Sequence, residues 1–205
     1  MLIRTLLAVS LLAGVMPLTS AAQSVPHFYV GAGASVFSNR PFSAGKYPRV
    51  FGPSITAGLE LNPRLAVQLG ASYHGKTESL LSYSSSAGQG GDTYHSYYVV
   101  MPVLLRYTFT SPNSPWHFDG LAGATLVHVA GNYTVTTNGN QVEFKSSDTR
   151  ANLTVGPALR YAFLPNVEFT ANALMSAIVG NSYGTFSDRL FLNVLVGAQY
   201  SFGKR

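Results

Sequence analysis

Five histidines, His27, His74, His95, His117 and His128, are the residues of this 205-residue chain best suited to acid–base work. On a β-strand an imidazole can activate a serine hydroxyl when the two stand two residues apart, because only alternate side chains share a face. None of the five is followed by Ser at that spacing, and His95 and Ser96, as neighbours, point to opposite faces. His117 and Asp119 do share a face, but close to a Pro-marked turn, where the pair reads as an interface hydrogen bond. No catalytic residue is therefore assigned. Metal binding is equally unsupported, since the chain has no Cys and no His pair at ligand spacing. Gly31-Ala32-Gly33 lacks the third glycine and the helix of a phosphate cradle, so no cofactor is expected.

Five charged residues within regular segments, Glu60, Arg106, Asp119, Arg160 and Glu168, each lie within four or so residues of a short turn. What must position them is a set of strands. From Gln23 onward the dominant period is two, and no helical period of 3.6 is sustained. Between Arg189 and Phe202 one face carries Leu190, Leu192, Val194, Val196, Ala198, Tyr200 and Phe202, while Asn193, Gln199 and Ser201 mark the other. Val167 to Val179 repeats the design. Six more segments, at about 27–38, 50–61, 65–83, 94–109, 116–137 and 142–163, bring the total to eight, with the faces of 116–137 ambiguous. Three connections are short and Pro-marked: Asn62-Pro63-Arg64, Thr110 to Pro115 and Leu164-Pro165-Asn166. Alternating with them are four longer polar stretches: Asn39 to Arg49, Ser84 to Thr93, the Asn138-Gly139-Asn140 region and Asn181 to Asp188. This is an up-and-down meander with both termini at the short-turn end, and its strands are long enough to close on themselves and remove both edges.

Composition decides the solvent. The chain is 46% hydrophobic and only 10% charged, with 20 Gly, 12 Tyr and 12 Phe, which excludes a disordered chain and, without Cys, a disulfide scaffold. Soluble domains carry roughly 25% charged residues. A soluble barrel would dress its outer face in Lys and Glu, whereas the second face here is mostly Gly, Ser, Thr, Asn and Gln, which suit a narrow interior. The five charges at one depth then form a single lumen layer in which they neutralise one another; an Arg on the lipid side at midplane would cost about 2–4 kcal/mol. Phe28, Tyr107, Phe109, Trp116, Phe118, Tyr161, Phe163, Phe169, Tyr200 and Phe202 all lie near the short-turn ends, as an aromatic girdle at a membrane interface requires.

The first residues, Met1-Leu2-Ile3-Arg4, an apolar run from Leu6 to Met16, and Ser20-Ala21-Ala22, have the layout of a cleaved leader. Residues 1–22 are thus expected to be a signal peptide and 23–205 the barrel domain. Removing Arg4 lowers the formal charge from +5 to +4, spread without a basic run, so nucleic acid is not an expected partner.

With its leader, eight alternating segments, short turns against long loops and a last strand ending Ala198-Gln199-Tyr200-Ser201-Phe202, the chain resembles the small outer-membrane β-barrels: the OmpA transmembrane domain, OmpX and the PorT-like or outer membrane protein beta-barrel families. The resemblance covers residues 23–205. It implies an all-β, eight-stranded antiparallel up-and-down transmembrane β-barrel in the bacterial outer membrane with both termini periplasmic. It also implies outer-membrane lipid, lipopolysaccharide and the barrel assembly machinery as partners. The expected role is non-enzymatic, in envelope integrity or surface-loop presentation. The alternatives are a loop-mediated binding or secretion-associated module, and a lipid A-modifying enzyme. An eight-stranded interior is just wide enough for side chains to fill, which disfavours an open pore.

Overall fold

The alternation folds into eight antiparallel strands: β1 (His27–Asn39), β2 (Arg49–Asn62), β3 (Leu65–Ser85), β4 (Gly88–Thr108), β5 (Trp116–Thr137), β6 (Asn140–Leu164), β7 (Val167–Ile178) and β8 (Leu190–Phe202). This computed structural model describes residues 26–39, 41, 49–85, 88–137, 140–179 and 189–203. The leader and most of the polar stretches before β2 and β8 lie outside the described residues. Each strand pairs with its sequence neighbour, and β1 pairs with β8 from Phe28↔Phe202 to Asn39↔Phe191, so the sheet is a closed barrel. Closure leaves no free edge along the paired length, which is how such a barrel avoids edge-to-edge association.

The period of two becomes an inside and an outside. On β4, Met101, Val103, Leu105 and Tyr107 are exposed (36%, 49%, 41% and 43%), while Leu104, Arg106 and Thr108 are buried (1%, 2% and 3%). The ambiguous segment, β5, resolves with His117, Asp119, Leu121, Thr125 and Val127 buried and Trp116, Phe118 and Leu126 exposed. At the short-turn end, Asn62 Oδ1 accepts the Arg64 and Leu65 N–H groups at 2.9 and 2.8 Å, and Pro63 fixes the bend.

The long-loop end departs from expectation. β3 and β4 pair as far as Ser85↔Gly88, so Gly88-Gln89-Gly90-Gly91 belongs to a strand and the connection shrinks to residues 86–87. Backbone groups make the ladder, and Gly90 and Gly91 are also held by Thr137 and Thr136 of β5, so the glycines need no side chain to stay in the sheet. β5 and β6 likewise pair out to Thr137↔Asn140. Two of the four expected long loops are therefore two-residue connections. β3 to β6 run 21 to 25 residues against 12 to 14 for the other four. A tilted strand needs about 9–11 residues to span a bilayer, so half of the wall projects well beyond the other half.

The lumen is filled in layers. Above the charged layer sits an apolar one of Leu104, Leu121, Ala158, Leu174 and Leu195. Next comes a polar belt in which Thr125, Thr154 and Ser176 are linked at 2.6 and 2.8 Å. A second apolar layer follows, built from Phe37, Val100, Val127 and Phe191. The interior face is thus more apolar than a reading of Gly, Ser, Thr, Asn and Gln suggests, because Phe, Val and Leu also stand at inward parity and pack against one another.

Candidate functional site

Four different strands bring charge to the lumen floor beside Arg160 of β6. Its Nε donates to Asp119 Oδ2 of β5 at 2.6 Å, Nη1 to Glu168 Oε2 of β7 at 2.8 Å, and Nη2 to Thr108 Oγ1 of β4 at 3.1 Å. Arg106 of β4 donates to Glu60 Oε1 of β2 at 3.1 Å, lies 4.0 Å from Asp119, and sits over the Tyr29 ring at 4.6 Å. Tyr29 Oη donates to Gln68 Oε1 at 3.2 Å, and Gln199 Nε2 donates to Glu168 Oε2 at 2.6 Å. Glu60, Arg106, Asp119, Arg160 and Glu168 therefore form one cluster of three carboxylates and two guanidiniums. All but Glu60 are buried. Each buried carboxylate has a guanidinium partner, which ionised groups in a low-dielectric lumen require. Gln68, Thr108, Gln199 and Tyr29 complete the shell; sequence reading missed all four, although their inward parity was available.

The aromatics lie on the other side of the wall. Phe28, Tyr107, Phe109, Trp116, Phe163, Tyr200 and Phe202, with Phe118 and Phe169, are exposed, and Tyr161 is half-buried against Trp116 at a ring separation of 4.5 Å. Further contacts run Tyr107–Phe109, Phe109–Phe118, Phe163–Phe169 and Tyr200–Phe202 at 5.0 to 5.8 Å. A second outward group stands higher on the wall: Tyr73 stacks on Tyr97 at 6.2 Å, and Tyr97 meets His128 at 6.3 Å. Sequence reading passed over it, though all three residues have outward parity.

One constellation sought at spacing two forms across strands instead. Ser35 Oγ of β1 lies 2.8 Å from His74 Nε2 of β3, both fully buried. The imidazole reaches over β2 at Gly52, where a Cβ would lie 3.1 Å from His74 Cδ2 and against the Tyr73 carbonyl. His74 Nδ1 has no hydrogen-bond partner among the described residues, so the pair has no orienting acid. His117 is buried near the floor, with its Nδ1 3.5 Å from Thr110 Oγ1. Among the described residues, no group of three His, Asp or Glu side chains could hold a metal ion.

The chain matches the family model described as outer membrane protein beta-barrel domain over residues 5–202. No curated protein sequence matches it. Among solved structures it is similar to a major outer membrane protein from Thermus thermophilus, at 17% identity and TM-score 0.60, covering 87% of this chain and all of that one. It is also similar to the outer membrane protein OprG from Pseudomonas aeruginosa, at 12% identity and TM-score 0.52, covering 86% and 95%. Ail of Yersinia pestis aligns at 15% identity and TM-score 0.48 over 86% and 97%. At these identities the likeness concerns the fold.

Proposed function

The chain belongs to the outer membrane protein beta-barrel domain family, and from that premise we propose that it is a non-enzymatic integral barrel, a closed structural element of the envelope that presents its long strands at the cell surface. The observation that carries this reading is the filled lumen: a cross-linked charge layer below two apolar layers. Ions crossing it would have to break buried salt bridges and then pass two apolar layers, and both are costly.

In this reading the two outward aromatic groups mark the membrane boundaries. On β4, Tyr97 and Tyr107 are ten residues apart, about 34 Å along a strand and about 25 Å across a bilayer at the usual tilt, which is the height of the apolar band of outer-membrane barrels. Residues 1–22 are a cleaved leader, both termini face the periplasm, and the assembly machinery inserts the chain from that side.

Purified protein in planar bilayers tests the proposal. Neither the wild type nor Arg106→Ala is expected to conduct, because the variant leaves both apolar layers in place. A steady unit conductance in the wild type would refute the closed-barrel reading.

A second reading, binding at the outer mouth, is favoured by the inner face of the projecting β3–β6 sheet. There Tyr133 Oη donates to Asp92 Oδ2 at 2.7 Å, Asp148 pairs with Arg150 at 2.5 Å, and a cavity of about 260 Å³ is lined by Tyr94, Tyr98, Asp148 and Arg150. For the lipid A-modifying alternative, the one Ser–His contact among the described residues is Ser35–His74, which is sealed inside the lumen away from any lipid ester. Lipid A mass spectra from a deletion strain are expected to match the parent.

A further inference from the structure

The ladders on both sides of β3 are interrupted at one height. The β2–β3 ladder stops at Ser54↔Ser72, next to Pro53. The β3–β4 ladder passes from Leu69↔Val103 to Ser72↔Val100 without a shift, skipping Gly70, Ala71, Met101 and Pro102. Proline has no N–H to give to a ladder, so each gap has a covalent cause. At this point the outer surface carries a groove of about 280 Å³, lined by Pro53, Ile55, Ala71, Tyr73 and Val99, and reaching the inward-facing Ser54 and Ser72 where the wall is thin. Ala71 is level with Met101 in the register, between Tyr97 and Tyr107, and so lies inside the apolar band set by the aromatic rows.

Above the groove the outward face of β2 passes through an aromatic residue to a cation. Arg49, Phe51, Pro53 and Ile55 are all exposed on the outward face of β2. Gly52 packs against Tyr73 and His74, and continuing that register sets Arg49 level with Thr77. Thr77 Oγ1 in turn lies 2.6 Å from His95 Nδ1 on the outside of β4. Arg49 stands four residues above Pro53, about 13 Å along the strand, just beyond the Tyr73–Tyr97 row where lipid headgroups begin.

We propose that this groove is a specific site for one acyl chain of an anionic membrane lipid, with the chain lying along Ile55, Ala71 and Val99 and the headgroup phosphate held by Arg49 beside Thr77 and His95. The assignment rests on the reading that the outward face meets lipid. An acyl chain is the only solvent available at that depth, the lining is apolar, and the cation four residues above the groove matches a phosphate in charge and in guanidinium geometry.

The test reconstitutes the full chain in nanodiscs of equal phosphatidylglycerol and phosphatidylcholine, extracts it into mild detergent, and counts retained lipid by native mass spectrometry. Heat-modifiable migration on gels shows that each variant is folded. The wild type is expected to keep one phosphatidylglycerol. Ala71→Phe, which fills the groove, is expected to lower retention at least tenfold, while Val155→Phe on the far wall is expected to leave it unchanged. Arg49→Gln is expected to keep a lipid but bind the two headgroups equally. Equal retention by the wild type and Ala71→Phe, detergent in place of lipid, or dimers that disappear in Ala71→Phe would each overturn the site. An unchanged headgroup preference in Arg49→Gln would overturn the role of Arg49. A chain that never enters the discs would instead overturn the lipid-facing reading on which the site rests.

Discussion

Arg160 ties β4, β5 and β7 together from a single side chain on β6. Removing one partner of a buried ionic network leaves uncompensated charge, which typically costs about 3–5 kcal/mol. Arg160→Ala is therefore expected to lower the stability measured by urea refolding into micelles by that amount. The triple variant Arg160→Met, Asp119→Asn, Glu168→Gln, which removes the stranded charges as well, is expected to recover most of the loss. If the triple variant is as unstable as the single one, the cost comes from packing and not from charge. In the projecting part of the sheet the hydrogen bond that Tyr133 donates to Asp92 raises the phenol's titration above its ordinary value, because ionisation removes the proton that makes the bond and sets two anions against each other. The bond is present at neutral pH and lost as pH rises through that raised value. Asp92→Asn is expected to bring the Tyr133 titration down, as followed by the NMR shift of its ring carbon. The depth of the charges was legible because distance from a Pro-marked turn fixes height in a meander. Which guanidinium meets which carboxylate was not, since partners such as Arg160 and Asp119 are 41 residues apart and are matched by barrel shear. Ser35–His74 was hidden for the same reason, with Gly52 the only local sign of its path.

At the scale of elements, the strands were legible almost throughout, because lipid outside and side chains inside enforce a strict period of two. The start of β4 was not, since Gly88 to Gly91 has the composition of a loop and is kept in the sheet by neighbours on both edges. The inner apolar layers were also obscured: Leu195 and Phe191 look lipid-facing by type and are inward only by parity. Closure brings the two end strands into a close approach that residue type does announce. Gly33 and Gly197 face each other across the β1–β8 seam, and a Cβ on either would lie 2.2 to 2.4 Å from a carbonyl oxygen of the other strand. Gly197→Val is expected to block this seam and abolish heat-modifiable migration. Ala198→Val, one residue on and facing outward, is expected to leave migration intact. A normally folded Gly197→Val protein would show that the seam has slack.

For the whole molecule, the asymmetry between the strands sets a direction. The short-turn end carries the buried charge layer, while β3 to β6 run on past the upper aromatic row as a four-stranded sheet. The polar pairs of that sheet, Asp148–Arg150 and Glu143–Lys145, would be costly in hydrocarbon and are favourable in water. Residues 140–151 of β6 are exposed along their full length, and β7 pairs with β6 only from Asn152 onward. Alternating charge on such a stretch discourages pairing with other chains. Outer-membrane barrels keep short turns on the periplasmic side, so the proposed orientation predicts that the projecting sheet stands outside the cell. The chain contains no Cys, so a single introduced thiol reports its own location without background. Ser147→Cys, in the projecting part of β6, is expected to react with a membrane-impermeant maleimide on intact cells. Asn113→Cys, in the Pro-marked connection between β4 and β5, is expected to react only after the cells are opened. Labelling in the reverse order would invert the molecule in the membrane, moving the charged floor to the cell surface and the Arg49 groove mouth to the periplasmic leaflet.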